Sequence, residues 1–364
     1  MTAPPAELPR EHPSEGEGVA ASLTALYNWD YEPEIDELRT LYANALERQW
    51  IGLRDLDWER DIDREAFART FSIGGLPIQQ TAFWQGLDQD LRWEVTRRTA
   101  AFMLSNFLHG EQGALMVASQ LVNSVPHMDG KFYAATQTLD EARHVEVFAA
   151  YVRKLDEVRP IAPGLKRLLD ATLAADSWLH KAVGMQVVTE GIALYAFRDM
   201  RNQTEEPLLK ALLTLVSRDE ARHTGFGVKY LNAVVPSLSA NEIREIEDFA
   251  FEAARALVDS RTGNAMRESL LAIWKEAGLD PVHALGEISK ERETLLEAIR
   301  RAGGRRGPVR GFVIPTLRAI GLFSDRIRDH FDEMFLANMG EQFGRVQDDG
   351  VEFPEDLEAW VESS

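Results

Sequence analysis

One five-residue word occurs twice in this chain. Asp-Glu-Ala-Arg-His stands at 140–144, in TLDEARHVEVFAAY, and again at 219–223, in SRDEARHTGFGVKY. On a helix, a glutamate followed three residues later by a histidine turns both side chains to one face. Glu141 with His144, and Glu220 with His223, each offer a carboxylate beside an imidazole. Both are ligands for divalent metals of the first transition row. Having the pair twice suggests two ions.

The repeat extends beyond the word. Glu111 precedes Glu141 by 30 residues, and Glu190 precedes Glu220 by the same 30. A shift of 79 residues lays Glu111 on Glu190, Glu141 on Glu220, His144 on His223 and Tyr151 on Tyr230. The local words agree as well, EQGAL against EGIAL. This is an internal repeat of helix pairs. With a helical rise of about 1.5 Å per residue, each donor lies about 20 Å from the turn of its hairpin, well inside a bundle. A lone Glu-x-x-His is usually a solvated pair. Two copies, each preceded by a glutamate at one interval within an apolar helix, define six metal-binding candidates: Glu111, Glu141, His144, Glu190, Glu220 and His223.

The neighbours of these residues suit orienting roles. A metal-binding histidine normally donates its other ring N–H to a carboxylate. Asp140 and Asp219 stand ready for that across the bundle, and Arg143 and Arg222 can keep them ionised. Without cations, four buried glutamates would repel and raise one another's pKa. The other histidines read as surface or polar-core residues. His109 lies roughly 200° around its helix from Glu111, His127 follows a proline, and His180 and His283 have no partner pattern. Tyr151 and Tyr230, on the faces of the histidine ligands, read as packing residues.

Four helices must carry these groups. Apolar spacing and the turn residues place them at about 91–125, 130–155, 175–201 and from 206–207 to the Pro236 region. A preceding helix begins near Glu34, and SIGGLPIQQ is a loop. Three further helices are expected at about 240–278, 281–302 and 315–339. RRAGGRRGPVRG, between the last two, reads as a solvated basic loop. The fold class is all-α, a four-helix bundle with flanking helices. The expected organisation is a flexible tail at 1–20, one helical domain at 21–346 with its metal-binding core at about 91–235, and an acidic tail at 347–364.

Composition sets outer limits. No cysteine is present, which removes disulfides, thiolate zinc sites and thiol nucleophiles together. A net charge of −19 argues against nucleic-acid and anionic-membrane partners. No run of about 18 apolar residues offers a membrane span. The N-terminal stretch lacks an apolar signal region, so the expected location is the cytoplasm.

One glutamate from each of two helices, with Glu-x-x-His from each of two others, is the ligand set of ferritin-like di-iron carboxylate bundles. The doubled Glu and Asp-Glu-x-Arg-His pattern resembles arylamine N-oxygenases in particular, over about 130 residues at the site. LYANALERQWI followed by LDW is similar to the leading segment of N-oxygenases and ligand-binding oxidases. The resemblance implies two iron ions, with a Mn/Fe pair as an alternative, and O2 as co-substrate. It implies a small organic substrate oxidised by hydroxylation or N-oxygenation, and an electron donor. Competing readings are a ligand-binding oxidase and a non-enzymatic ferritin-like iron-binding protein. Arylamine N-oxygenases add a third histidine one turn before the second Glu-x-x-His, where this chain has Val216. The radical tyrosine of ribonucleotide reductase small subunits corresponds to Phe148, and the threonine of bacterial multicomponent monooxygenases to Leu194. Ribonucleotide reduction is thereby disfavoured. Residues one helical turn from a ligand form the expected pocket wall: Phe107, Leu115, Phe148, Gln186, Leu194 and Val216, with Gly227 beside them. Long bundles of this kind often pair, so a homodimer is expected.

Overall fold

The computed structural model describes residues 17–21, 23–71, 77–262, 264–301, 307–339 and 352–363. In chain order the helices are α1 (Asp36–Glu47), α2 (Gly52–Asp55), α3 (Arg64–Thr70), α4 (Ala82–Gln85), α5 (Gln89–Ser124), α6 (Met128–Leu155), α7 (Pro163–Ala174), α8 (Trp178–Ala182) and α9 (Glu190–Gln203). They continue as α10 (Pro207–Val234), α11 (Ala240–Thr262), α12 (Asn264–Glu276), α13 (Pro281–Lys290), α14 (Arg292–Arg301), α15 (Ile314–Ala319), α16 (Asp325–Met339) and α17 (Leu357–Glu362). No strand occurs among the described residues. Residues 72–76 of the expected loop over 72–80, most of the expected N-terminal tail and residues 302–306 of the expected basic loop lie outside them. At the end of that basic loop, Val309–Val313 wind as a π-helix.

Local chemistry sets the ends of the long helices. The Asp88 carboxylate accepts from the backbone N–H of Asp90 at 2.9 Å and starts α5, which stops at Val125 because Pro126 follows. Glu206 accepts from the N–H groups of Leu208 and Leu209 at the start of α10, with Pro207 as its first residue. The buried Asp129 on α6 accepts from the N–H groups of Glu34 and Ile35 at 2.8 and 2.9 Å and pairs with Arg39 at 2.8 Å. That clamp lays α1 along α6.

The helix expected over 175–201 is not uniform. Residues Val183–Thr189 wind as a π-helix between α8 and α9, directly ahead of Glu190. Such wide turns are rare and concentrate at functional sites. Gly227 of α10 meets this segment. A Cβ there would collide with the Cβ of Gln186, so only glycine lets the two backbones come this close.

Three outer helices also divide where the sequence suggested continuous ones. The 240–278 segment is α11 and α12, and 281–302 is α13 and α14, parted at Glu291. The Glu291 carboxylate accepts from the N–H groups of Ala82 and Phe83 at 2.6 and 2.8 Å, so it caps α4. The 315–339 segment breaks at Gly321, whose φ of 76° is the left-handed turn that favours glycine. The acidic stretch at the C-terminal end carries α17, which buries Leu357 and Val361 against Leu194, Ala221 and Phe312. An acidic average hid a short amphipathic helix.

Two apolar layers sandwich the polar centre of the bundle. One gathers Leu104, Phe148, Tyr151, Phe197, Leu212 and Val216. The other gathers Val117, Leu121, Tyr133, Met185, Phe226 and Tyr230. Each such side chain contributes about 1.5–3 kcal/mol by leaving water, which offsets the cost of the charged groups held between the layers.

Candidate di-metal site

α5 carries Glu111, α6 carries Glu141 and His144, the first residue of α9 is Glu190, and α10 carries Glu220 and His223. All six are buried. Their donor atoms form two overlapping clusters. Glu111, Glu141, His144 and Glu220 place donor atoms within 4.8 Å of one another, and so do Glu141, Glu190, Glu220 and His223. Glu141 and Glu220 belong to both. Each of these two turns one oxygen to each imidazole: Glu141 lies 3.3 Å from His144 Nδ1 and 3.0 Å from His223 Nδ1. The corresponding Glu220 distances are 2.9 and 3.1 Å. Ligand bonds of roughly 2.0–2.2 Å put adjacent donors on one ion about 3 Å apart. The spacings have that size.

The electrostatics also suit cations. Glu141 Oε2 and Glu220 Oε1 are buried without any hydrogen bond. Burial pushes Glu111 and Glu190 well above the usual carboxylate range, and neighbouring glutamates push them further. Burial works against charge on His144 and His223, yet the surrounding carboxylates hold both well above the ordinary imidazole range. Four carboxylates around two dicationic ions would balance. Four alone, in a dry interior, do not. The donor set therefore fits two divalent metals, with Glu111 and His144 at one, Glu190 and His223 at the other, and Glu141 and Glu220 shared.

The aspartates cross over. His144 Nε2 donates to Asp219 at 3.0 Å, and His223 Nε2 lies 3.4 Å from Asp140. Each repeat thus orients the other's imidazole and leaves Nδ1 facing the glutamates. Arg143 bonds Asp140 and, at 2.9 Å, Asp219, while Arg222 bonds Asp219. Against the effect of its burial, the His144 hydrogen bond first, and then the charges of Arg222 and Arg143, hold Asp219 far below the usual carboxylate range.

Several participants carry no motif. Trp50 Nε1 donates to Asp219 at 2.8 Å, and the Arg143 guanidinium lies 4.6 Å from the Trp50 ring. Gln49 donates to Asp140 at 3.0 Å and accepts from Arg143 at 2.8 Å. Both residues follow α1, which Asp129 docks from the far end. Gln137 donates to Glu141 at 3.0 Å and lies 3.3 Å from Glu190, braced by Gln186, which donates back to it at 2.9 Å. Gln137 sits one turn before Glu141, a spacing that could have singled it out. Nothing local marks Gln49 or Trp50 beyond the word RQWI.

A cavity of about 720 Å³ opens on this centre, with Glu111 and Glu190 in its wall. It runs beside α5 and α9 and is bordered on the outside by α12. Of the six expected wall residues, Phe107 lines it. The other five correct that expectation. Phe148 and Val216 are buried in one apolar layer, Leu194 faces α17, Gln186 braces Gln137, and Leu115 lies off the cavity. Sharing a helix face with a ligand does not say which neighbouring helix that face meets. The remaining polar residues are structural. Tyr151 donates to Glu206 at 2.8 Å, and Tyr230 lies 2.9 Å from His127 Nδ1. His109 bonds the Arg159 carbonyl, His180 packs on Phe249, and His283 is exposed beside Phe83.

The family model described as "P-aminobenzoate N-oxygenase AurF" matches residues 33–281, well over half of the chain. The matched span begins just before α1 and takes in all four ligand-bearing helices. This chain belongs to the AurF family. Membership makes it an oxidoreductase of the ferritin-like di-metal class. In place of a further histidine one turn before Glu220, this member has the fully buried Val216. Among solved structures, the chain is similar to an R2-like ligand-binding oxidase with an aerobically reconstituted Mn/Fe cofactor: 16% identity, TM-score 0.44, covering 71% of this chain and 92% of that one. An R2-like ligand-binding oxidase with an aerobically reconstituted metal cofactor after photoconversion matches at 16% identity and TM-score 0.43, over 71% and 93%. No curated protein sequence matches the chain. No described helix is long and apolar enough to cross a membrane.

Proposed function

We propose that the chain is an O2-dependent di-iron oxygenase that oxidises an organic substrate held in the cavity, by N-oxygenation or hydroxylation. One observation carries the reading: Glu111 and Glu190, one from each donor cluster, also line the cavity wall. A guest there lies against both metal positions at once. Bound iron supplies the redox chemistry with O2. The protein's own groups do the rest. Glu111, Glu141, His144, Glu190, Glu220 and His223 hold the ions. Asp219 and Asp140 fix the two imidazoles through their Nε2 protons, and Arg143 and Arg222 keep those aspartates charged. Gln137 steadies Glu141 and Glu190 by hydrogen bonds. The apolar layers above and below exclude water, which strengthens each of these interactions.

The reading also calls for an electron donor, and with no cysteine the chain cannot supply one as an iron–sulfur cluster held by thiolates. We also propose a homodimer. Its support is the exposed run of Tyr27, Trp29 and Tyr31, of a kind that marks contact surfaces. Anaerobic Fe(II) titration tests the central reading. The expected result is two irons per chain, O2 uptake on admission of air, and oxidation of an aromatic amine or a hydrocarbon. Glu141→Ala should fold and lose the iron. A wild-type chain that binds no iron tightly, or an E141A variant with normal iron content, would sink it.

A further inference from the structure

We infer that the cavity takes an extended aromatic guest, at least two rings long, rather than a single-ring one; this rests on the oxygenase reading for the guest's role as substrate. Volume is the first ground. A cavity of roughly 150 Å³ suffices for one benzene, and this one holds about 720 Å³. A single ring would leave most of the space empty, and unfilled apolar space forfeits the contacts that bind.

Length is the second ground. Along α9 the wall runs from Glu190 through Ala193, Ala196 and Met200 to Gln203. Thirteen helical steps at 1.5 Å span about 20 Å. Along α5 it runs from Phe102 through Phe107 to Ala114, about 18 Å by the same rise. A guest that reaches the glutamates at one end has room for several rings beyond them.

The wall chemistry selects the class. Phe71, Phe102, Phe107, Tyr195 and Trp274 supply ring edges and faces. Met103, Met200 and Met266 add polarizable thioethers. Aromatic pairs gain beyond area burial, and sulfur against a ring gains again. Three polar groups in the same wall are already engaged. Asn106 donates to the Phe102 carbonyl at 2.9 Å and accepts from Ala162 N at 2.7 Å. Thr70 donates to Ala66 O at 2.7 Å, and Thr189 to Gly184 O at 2.8 Å. Asp199 and Gln203, also in the wall, lie about 14 and 20 Å along α9 from Glu190, so between them and the glutamates the guest meets little that could hydrogen-bond it. Arg267, exposed at the rim, is where a polar end group would sit.

The test is calorimetric titration of the anaerobic Fe(II)-loaded full chain with aniline, 4-aminobiphenyl and 4-amino-p-terphenyl. Burying one more ring is worth about one to two decades of affinity. Tenfold or greater tightening from aniline to 4-aminobiphenyl is expected, with no loss at three rings. Ala196→Trp blocks the middle of the cavity. It should abolish the gain from the second ring while still binding two irons; Ala196→Leu should abolish part of it, and stands in if the tryptophan variant misfolds. Equal affinity for one and two rings overturns the inference. So does a second-ring gain that survives in A196W, or decylamine binding tighter than 4-aminobiphenyl. Binding is read without turnover. Ring-dependent binding with no oxidation in air would leave the inference standing and refute the oxygenase reading instead.

Discussion

The two halves of the motif are identical in sequence, yet the structure makes their aspartates unequal, and metal affinity should report the difference. Asp219 accepts from His144 at 3.0 Å, Trp50 at 2.8 Å and Arg143 at 2.9 Å, and also from Arg222. Asp140 meets His223 at 3.4 Å and otherwise bonds Gln49 and Arg143. Substituting asparagine removes the charge and retains the shape. At position 219 it leaves two buried guanidinium groups short of a counter-charge and weakens a well-formed bond to a metal-binding imidazole. At 140 only Arg143 loses an ionic contact, and it still has Asp219. Changing such partners of a metal-binding histidine typically costs 10–100-fold in affinity. Asp219→Asn should lie near 100-fold, about 2.8 kcal/mol at 1.4 kcal/mol per decade, and Asp140→Asn near tenfold. Competition of Fe(II) against a chelator of known affinity measures both, with circular dichroism to verify the fold. Equal losses, or a larger loss at 140, would refute the reasoning, because the motif alone predicts equality.

Two stability outcomes follow from other contacts. Gly227→Ala would drive a Cβ into Gln186, beside the π-helical turn, and should destabilise by about 1–3 kcal/mol as overpacking does; an unshifted urea midpoint would count against that packing. Lys181 is buried, donates to the Thr172 and Leu173 carbonyls at 3.1 and 2.7 Å, and is pushed by burial down to about 8 from an ordinary 10.5. Between those two values the unfolded chain binds the proton and the folded chain does not, so stability should climb as pH rises through the window, by about 3 kcal/mol in all. Lys181→Met should lose that climb relative to wild type in urea titrations at pH 7.5 and 10.5; parallel curves would refute the shift.

The sequence by itself determined the kind of site. Two Asp-Glu-Ala-Arg-His words and two glutamates at equal intervals specify helix faces, because a helical period converts spacing directly into direction. Glu111, Glu141, His144, Glu190, Glu220 and His223 could therefore be named, and the structure gathers them into overlapping clusters. The aspartates were legible for the same reason. Which residues from elsewhere reach that centre depends on how the helices pack. Trp50 and Gln49 arrive because Asp129, far along α6, clamps the start of α1. The cavity depends on how α12 lies over α5 and α9, so five of the six wall positions taken from helix faces lie elsewhere. The π-helical turn before Glu190 is likewise absent from the periodicity. Spacing along one helix fixes a direction; what stands in that direction is set by packing between helices, where contacts are distant in sequence and carry no period.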